Sequence, residues 1–377
     1  MRFRVQREVL AEAVAWAARS LPARPPVPVL AGLLVEATDE GLVLAGFDYE
    51  VSARVTVEAE VSEPGRALVS GRLLADICRS LPQQPVEVAS DGSKVVVRCG
   101  SSRFSLLTLP VEEYPALPVM PSASGSLPGD AFAAAVSQVS IAAGRDDTLP
   151  VLTGVRVEIE GEKVVLAATD RYRLAVRELA WSPEQAGLSA VALVPAKTLS
   201  DTARSLASGD KVVVALSSGG AGDNLVGFEG GSRRTTTRLL DGEFPKYQSL
   251  LPSESASIAV LETAPFVDAV KRVALVAERN TPVRLAFTAG AVTLEAGSGD
   301  DAQASETLEA DLEGAEISIA FNPGYLLDGL GAIDAPYAQL SFTTATKPAV
   351  LTGRATADAE PSRDYRYLLM PVRLSGA

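Results

Sequence analysis

The chain has 377 residues, 47% of them hydrophobic and 21% charged, with a formal net charge of −13. That length exceeds one ordinary core and predicts two or three domains, and no apolar run is long enough to cross a bilayer. Histidine is absent, which excludes Ser-His and Cys-His nucleophile pairs, histidine bases and His-containing zinc sites together.

The opening Met1–Glu8 is charged and lacks the apolar segment of a secretory leader, so a cytoplasmic protein is expected. An amphipathic helix follows, with Val9, Leu10, Val14 and Ala17 as its apolar stripe. A second helix carries Leu73, Leu74, Ile77 and Leu81. Cys78 and Cys99, the only cysteines, have no metal-ligand spacing and read as small buried apolar groups. There is no Gly-rich phosphate loop, Walker pattern or nucleophile elbow, so neither a catalytic residue, a metal site nor a cofactor is expected.

The same elements then return. Val29-Leu30-Ala31-Gly32 is echoed 122 residues later by Val151-Leu152-Thr153-Gly154, and Phe47-Asp48-Tyr49 at the same shift by Thr169-Asp170-Arg171. Phe132, Val136 and Val139 form the matching first helix, and Leu199, Ala203 and Leu206 the second. A third copy opens near Phe266, Val270 and Val273 and continues through Tyr325, Leu326, Leu330 and Ile333. Alternating runs such as 164–168 and 212–216 between turn residues read as strands. Proline-bearing or small polar joints at 118–125 and 251–255 place three α+β domains at 1–123, 124–253 and 254–377. Each has two helices packed on antiparallel sheet, and repetition puts all six helices on one side of a curved array.

Basic residues recur with the repeat. Arg72 and Arg79 correspond, 125 residues on, to Lys197 and Arg204; Arg24, Arg145 and Arg279 follow the first helices, Arg24 one residue out of register. Arginines near helix ends also serve as macrodipole partners or as solubilising charge. Recurrence at equivalent positions points instead to phosphate contact. Gly324 and Gly331 replace the pair in the third copy, and −13 overall speaks against a protein that wraps nucleic acid.

Four segments carry a close resemblance: Ala168–Val176, Gly242–Tyr247, Phe321–Asp328 and Tyr367–Leu374. Over its full length the chain resembles the bacterial beta sliding clamps, the beta subunits of DNA polymerase III, and 142–150 resembles the high-GC Gram-positive type. The resemblance implies three processivity-fold (DNA clamp) domains forming half of a closed ring, a non-catalytic homodimer that encircles duplex DNA independently of sequence. A ring holds DNA topologically, so only its inner wall need be basic, and weak phosphate contacts permit sliding.

It also implies partners: the replicative polymerase catalytic subunit, the clamp loader, and other polymerases and repair proteins, but no membrane. These would insert a Gln-Leu-x-Leu-Phe-like segment into a pocket between domains two and three, an antibiotic target in the family. Carried over by motif, the pocket uses Leu152, Thr169, Arg171, Tyr172, Arg173, Leu174, Pro245 and Leu250. From the third domain and the tail it uses Asn322, Tyr325, Ala349, Leu368, Met370, Pro371, Val372 and Arg373. Arg171-Tyr172 departs from the Gly-His of many clamps. Ring closure would set Arg103, Phe104 and Leu106 against Ala274, Leu275, Asp300 and Glu306 of a second copy. From the residues alone, two alternatives stay open: a repeat-built peptide-binding scaffold that never meets DNA, and an enzyme with an acidic site at Asp146-Asp147 or Asp300-Asp301.

Overall fold

The computed structural model describes residues 1–217, 224–277, 281–297 and 302–373. Among the described residues are six α-helices: α1 (Arg7–Ala17), α2 (Gly71–Ser80), α3 (Gly129–Ser140), α4 (Ala196–Leu206), α5 (Thr263–Val273) and α6 (Pro323–Ala332). The chain divides into two compact units, one holding 1–130, 182–185 and 201–239, the other 131–181, 186–200 and 240–377. The second sequence copy is therefore shared between them.

In the first unit α1 and α2 pack together over sheet. Leu10, Ala13, Val14 and Ala17 of α1 and Leu74, Ile77 and Cys78 of α2 meet Phe3, Leu33, Leu42, Val55, Val86, Val97 and Leu106 in one core. Two expected stripe residues do not join it. Val9 is 37% and Leu73 51% exposed, because successive helix positions are turned by about 100° and Leu10 and Leu74, their neighbours, take the inward places. Both cysteines are free and buried, and burial, partly opposed by the charge of Arg7, pushes the Cys78 thiol up to about 12. Such a thiol is inert at neutral pH.

All fourteen strands of this unit's sheet are linked by antiparallel pairing. The seam between sequence copies is a backbone ladder: Arg233–Arg238 runs against Val51–Val57, with Arg233 opposite Val55 and Thr237 opposite Val51. Ser52 and Thr236 hydroxyls bond at 2.6 Å within it. Arg233 adds a contact to Glu12 and lies over the Trp16 ring at 5.6 Å.

The second unit has a nine-stranded and a four-stranded sheet. Its seam has the same logic, since Arg173–Ala180 pairs with Tyr365–Leu369, setting Arg173 opposite Leu369 and Leu174 opposite Leu368. Pairing edges of consecutive copies satisfies backbone groups that separate domains would expose. Leu174, Val176, Leu193, Phe244, Tyr247 and Leu368 pack into a core beside this seam.

Candidate functional site

The site grows from a tight turn. Strands Lys163–Thr169 and Arg173–Ala180 form a hairpin whose connection is 170–172. Asp170 Oδ1 accepts from the backbone N–H of Tyr172 at 3.0 Å and of Arg173 at 3.1 Å. Thr169 Oγ1 donates to the Arg173 carbonyl at 2.6 Å and accepts from the Arg171 N–H at 3.2 Å. This Asx turn holds Arg171 at φ 80°, in the left-handed region that side chains avoid.

Arg173, next along, turns inward and is 6% exposed. Its Nε donates to Asp170 Oδ2 at 3.0 Å, one NH2 group bonds Asp328, and the guanidinium lies 4.3 Å from the Tyr325 ring centroid. Burial opposes its charge, but Asp328, Tyr367 and Asp170 outweigh that and hold the guanidinium charged well above its ordinary range. Tyr367 donates from its hydroxyl to the Tyr325 carbonyl at 2.8 Å, and burial raises its phenol, with Arg173 opposing.

Helix α6 supplies the opposite wall. Asn322 caps it, Oδ1 accepting from the Tyr325 N–H at 3.1 Å, with Pro323 at the first helical position. That cap fixes Tyr325, whose ring stacks on Tyr172 at 6.3 Å and 27°. Burial raises the Tyr325 phenol, as does Asp170, with Arg173 opposing. Between these walls lies a cavity of about 630 Å³, within the range of ligand pockets. Of the expected pocket residues, Leu152, Arg171, Tyr172, Arg173, Asn322 and Tyr325 line it.

The remainder lie around it. Leu174, Leu368 and Ala349 are buried in the seam and Thr169 in the turn. Pro245 and Leu250 are exposed on the segment that sends Phe244 and Tyr247 into the core. Met370 donates its N–H to the Tyr172 carbonyl at 2.9 Å and Val372 to the Ala320 carbonyl at 2.8 Å; both side chains are exposed, as is Arg173's namesake in the tail, Arg373, while Pro371 is half-buried.

Arg145, expected among the phosphate contacts, lines this cavity. Arg24, Arg72, Arg79, Lys197 and Arg204 are exposed, and Arg279 lies outside the described residues. Arg72 donates to the Pro22 carbonyl at 3.1 Å, while Arg79 pairs with Asp76 at 3.4 Å and Arg204 with Asp201 at 3.6 Å.

Sequence reasoning missed Asp170 and Asp328, yet a signal existed. Asp76, Asp201 and Asp328 occupy the same place in the three second helices. Where the first two have an arginine three residues on, the third has Gly331, and its aspartate reaches Arg173 instead.

Of the residues expected at ring closure, Arg103 and Phe104 are exposed, Ala274 is half-buried and Leu275 is 84% exposed. Leu106 is turned into its own core at 3% exposure, and Leu107, at 69%, faces outward, because neighbours on a strand take opposite faces. Glu306 is held within the chain by Arg272, Nε to Oε2 3.0 Å, which lowers its carboxyl. Asp300 and Asp301 lie outside the described residues, and no metal-holding cluster occurs among those described. Asp146 bonds Thr148 in an exposed loop.

Three family models match in succession: the DNA polymerase III beta subunit N-terminal domain at residues 1–118, its central domain at 126–246 and its C-terminal domain at 248–373. The chain is 70% identical over 376 residues to the beta sliding clamp of Streptomyces coelicolor, covering all of both chains. The chain belongs to the beta sliding clamp family. A Micrococcus luteus beta sliding clamp is 55% identical over 313 residues, covering 83% of this chain and all of the relative, so the high-GC Gram-positive resemblance holds. A Pseudomonas aeruginosa sliding clamp solved bound to griselimycin superposes with TM-score 0.91 at 29% identity, covering 99% of this chain and all of that one.

The function is therefore that of the DNA polymerase III beta clamp, a processivity factor and non-catalytic subunit that tethers polymerase to DNA. The three-domain clamp fold accounts for the six helices and large antiparallel sheets. Among the described residues no helix of this clamp is long and apolar enough to cross a membrane.

Proposed function

We propose that two copies of this chain close head to tail into a cytoplasmic ring around duplex DNA, with domains at 1–123, 124–253 and 254–377. Arg24, Arg72, Arg79, Lys197 and Arg204 face the duplex; Arg145, which lines the pocket, and Arg279, which lies outside the described residues, are assigned to the same role. The pocket built on the Asp170–Arg173 turn receives short segments of the polymerase catalytic subunit, the clamp loader, and other polymerases and repair proteins. Its support is a cavity in which Leu149, Leu152 and the stacked Tyr172 and Tyr325 offer apolar and aromatic surface beside charged groups, a mixture suited to anchoring and orienting a short peptide.

Ring closure rests on one observation. Strand Ser102–Leu109 is paired along one side with Lys94–Cys99, but on its other side, among the described residues, only Thr108 and Leu109 have strand partners, which leaves the edge at 102–107 open. Strand Ala304–Glu309 is likewise paired on one side alone, with Ala291–Ala296. Open edges are an aggregation hazard unless covered, and we assign these two, among the edges the sheets leave, to pairing with each other's copies. Arg103 and Phe104 on the first, with the exposed Leu275 and with Glu306, whose carboxylate would be shared with Arg272, would supply opposite charge and apolar area.

Light scattering of the full chain, followed by retention on nicked-circular and linear DNA after loading, tests this reading. A dimer that stays on circles and runs off linear ends is expected. A stable monomer at micromolar concentration, or equal retention on both DNAs, refutes it.

A further inference from the structure

Two arginines at the cavity are only loosely engaged, Arg171 lending its charge to Asp146 without a direct bond. Arg145 and Arg171 both line it, both are exposed, and among the described residues neither guanidinium has a hydrogen bond or ion pair. Deeper in, the acids are engaged: Asp170 and Asp328 hold Arg173. At the rim, Asp146 Oδ1 is taken by the Thr148 N–H at 3.0 Å and hydroxyl at 2.6 Å. The cavity's three arginines and three aspartates balance formally, but with Asp170 and Asp328 committed to Arg173 and Asp146 to Thr148, the guanidinium donors of Arg145 and Arg171 remain open beside the stacked Tyr172 and Tyr325.

Arg171 is also held at φ 80°, where glycine would fit without strain and any other residue costs about 1 kcal/mol. In the sister turn the strained residue is Tyr49, at φ 75°, and its ring packs edge-on against Phe47 at 5.7 Å. The Arg171 side chain makes no comparable contact within the described chain. Its remaining use is outward, toward whatever enters the cavity.

We propose that Arg171, assisted by Arg145, is a specificity-determining residue that makes this pocket favour partner segments carrying a carboxylate beside their apolar anchors. The inference rests on the pocket reading above and adds the chemical class of the preferred partner.

The test titrates the full chain with Gln-Leu-Ser-Leu-Phe peptides flanked on either side by aspartate or, in a matched set, by asparagine. At low salt the unaltered chain should bind an aspartate peptide roughly two- to fivefold tighter than its asparagine twin, the range of an exposed ion pair, and high salt should erase the difference. In R171G, which puts glycine where the backbone suits it, the ratio of the two affinities should fall to one; R145Q should reduce it. Equal binding of both sets by the unaltered chain overturns the inference and leaves the pocket standing. A ratio that survives in R171G overturns it too. Failure of every peptide to bind refutes the pocket and the inference together.

Discussion

The turns at Asp48–Val51 and Asp170–Arg173 are built alike, 122 residues apart, and put to different ends. In each, one aspartate Oδ1 accepts two backbone N–H groups: Glu50 at 2.9 Å and Val51 at 2.6 Å in the first, Tyr172 at 3.0 Å and Arg173 at 3.1 Å in the second. Each forces the next residue to positive φ. The first turn ends on Val51, which enters the ladder with Thr237. The second ends on Arg173, which enters the ladder with Leu369 and also gathers Asp170, Asp328, Tyr325 and Tyr367. One backbone device therefore closes a seam in one place, and in the other closes a seam and shapes a cavity. The difference lies in the side chains hung on it.

The largest expected effect comes from removing what only the second turn has. Replacing Arg173 by methionine leaves Asp170, 14% exposed at its side chain, without its cationic partner, and breaking a buried pair from one side costs about 3 kcal/mol. Hydrogen exchange of the Arg173–Ala180 strand amides should report that loss as faster local opening. Val51→Ala, the equivalent change in the first turn, trims one half-buried side chain and should cost about 1 kcal/mol. Similar acceleration at both seams would mean that the Arg173 network contributes little beyond packing.

A second comparison isolates the aspartates. Asp48→Ala removes an acceptor from two backbone donors and should weaken its hairpin by about 1.5 kcal/mol. Asp170→Ala removes the same two bonds and the contact to Arg173 Nε, so it should cost about 1 kcal/mol more. Exchange at the two hairpins, read side by side, gives the difference directly. Equal costs would show that Asp328 alone suffices to hold Arg173.

Much of this was legible in the residues. The echo of Asp48 in Asp170 and the six helical stripes follow from spacing, because burial imposes its period on sequence. The seams did not show, since a strand run carries no mark of which other strand it will meet. Nor did the inward turn of Arg173, whose partners Asp328 and Tyr367 are 155 and 194 residues away. Arg72 and Arg173 look equally available as letters; only the fold exposes one and buries the other. Val9 and Leu73 were misread for a simpler reason, as each adjoins a leucine that wins the inward position. At Leu106 and Leu107 the same competition is settled by strand alternation.

The smallest effect concerns the rim. Where the second copy has Asp146, the first, 122 residues earlier, has Arg24. Hydrogen bonds from the Thr148 hydroxyl and N–H, then in lesser part the charge of Arg171, hold the Asp146 carboxyl below its ordinary value. A carboxylate lowered on folding contributes stability above its unfolded value, and loses it as pH falls through its folded one. The effect therefore lies on the acid side and leaves neutral pH untouched. Followed by carbon NMR of the carboxyl, Thr148→Ala should move the Asp146 midpoint upward, and Arg171→Gly should move it upward by less. A larger shift in R171G would put the arginine closer to the carboxylate than to the cavity, and Arg171 would then belong to its own loop and not to an incoming peptide.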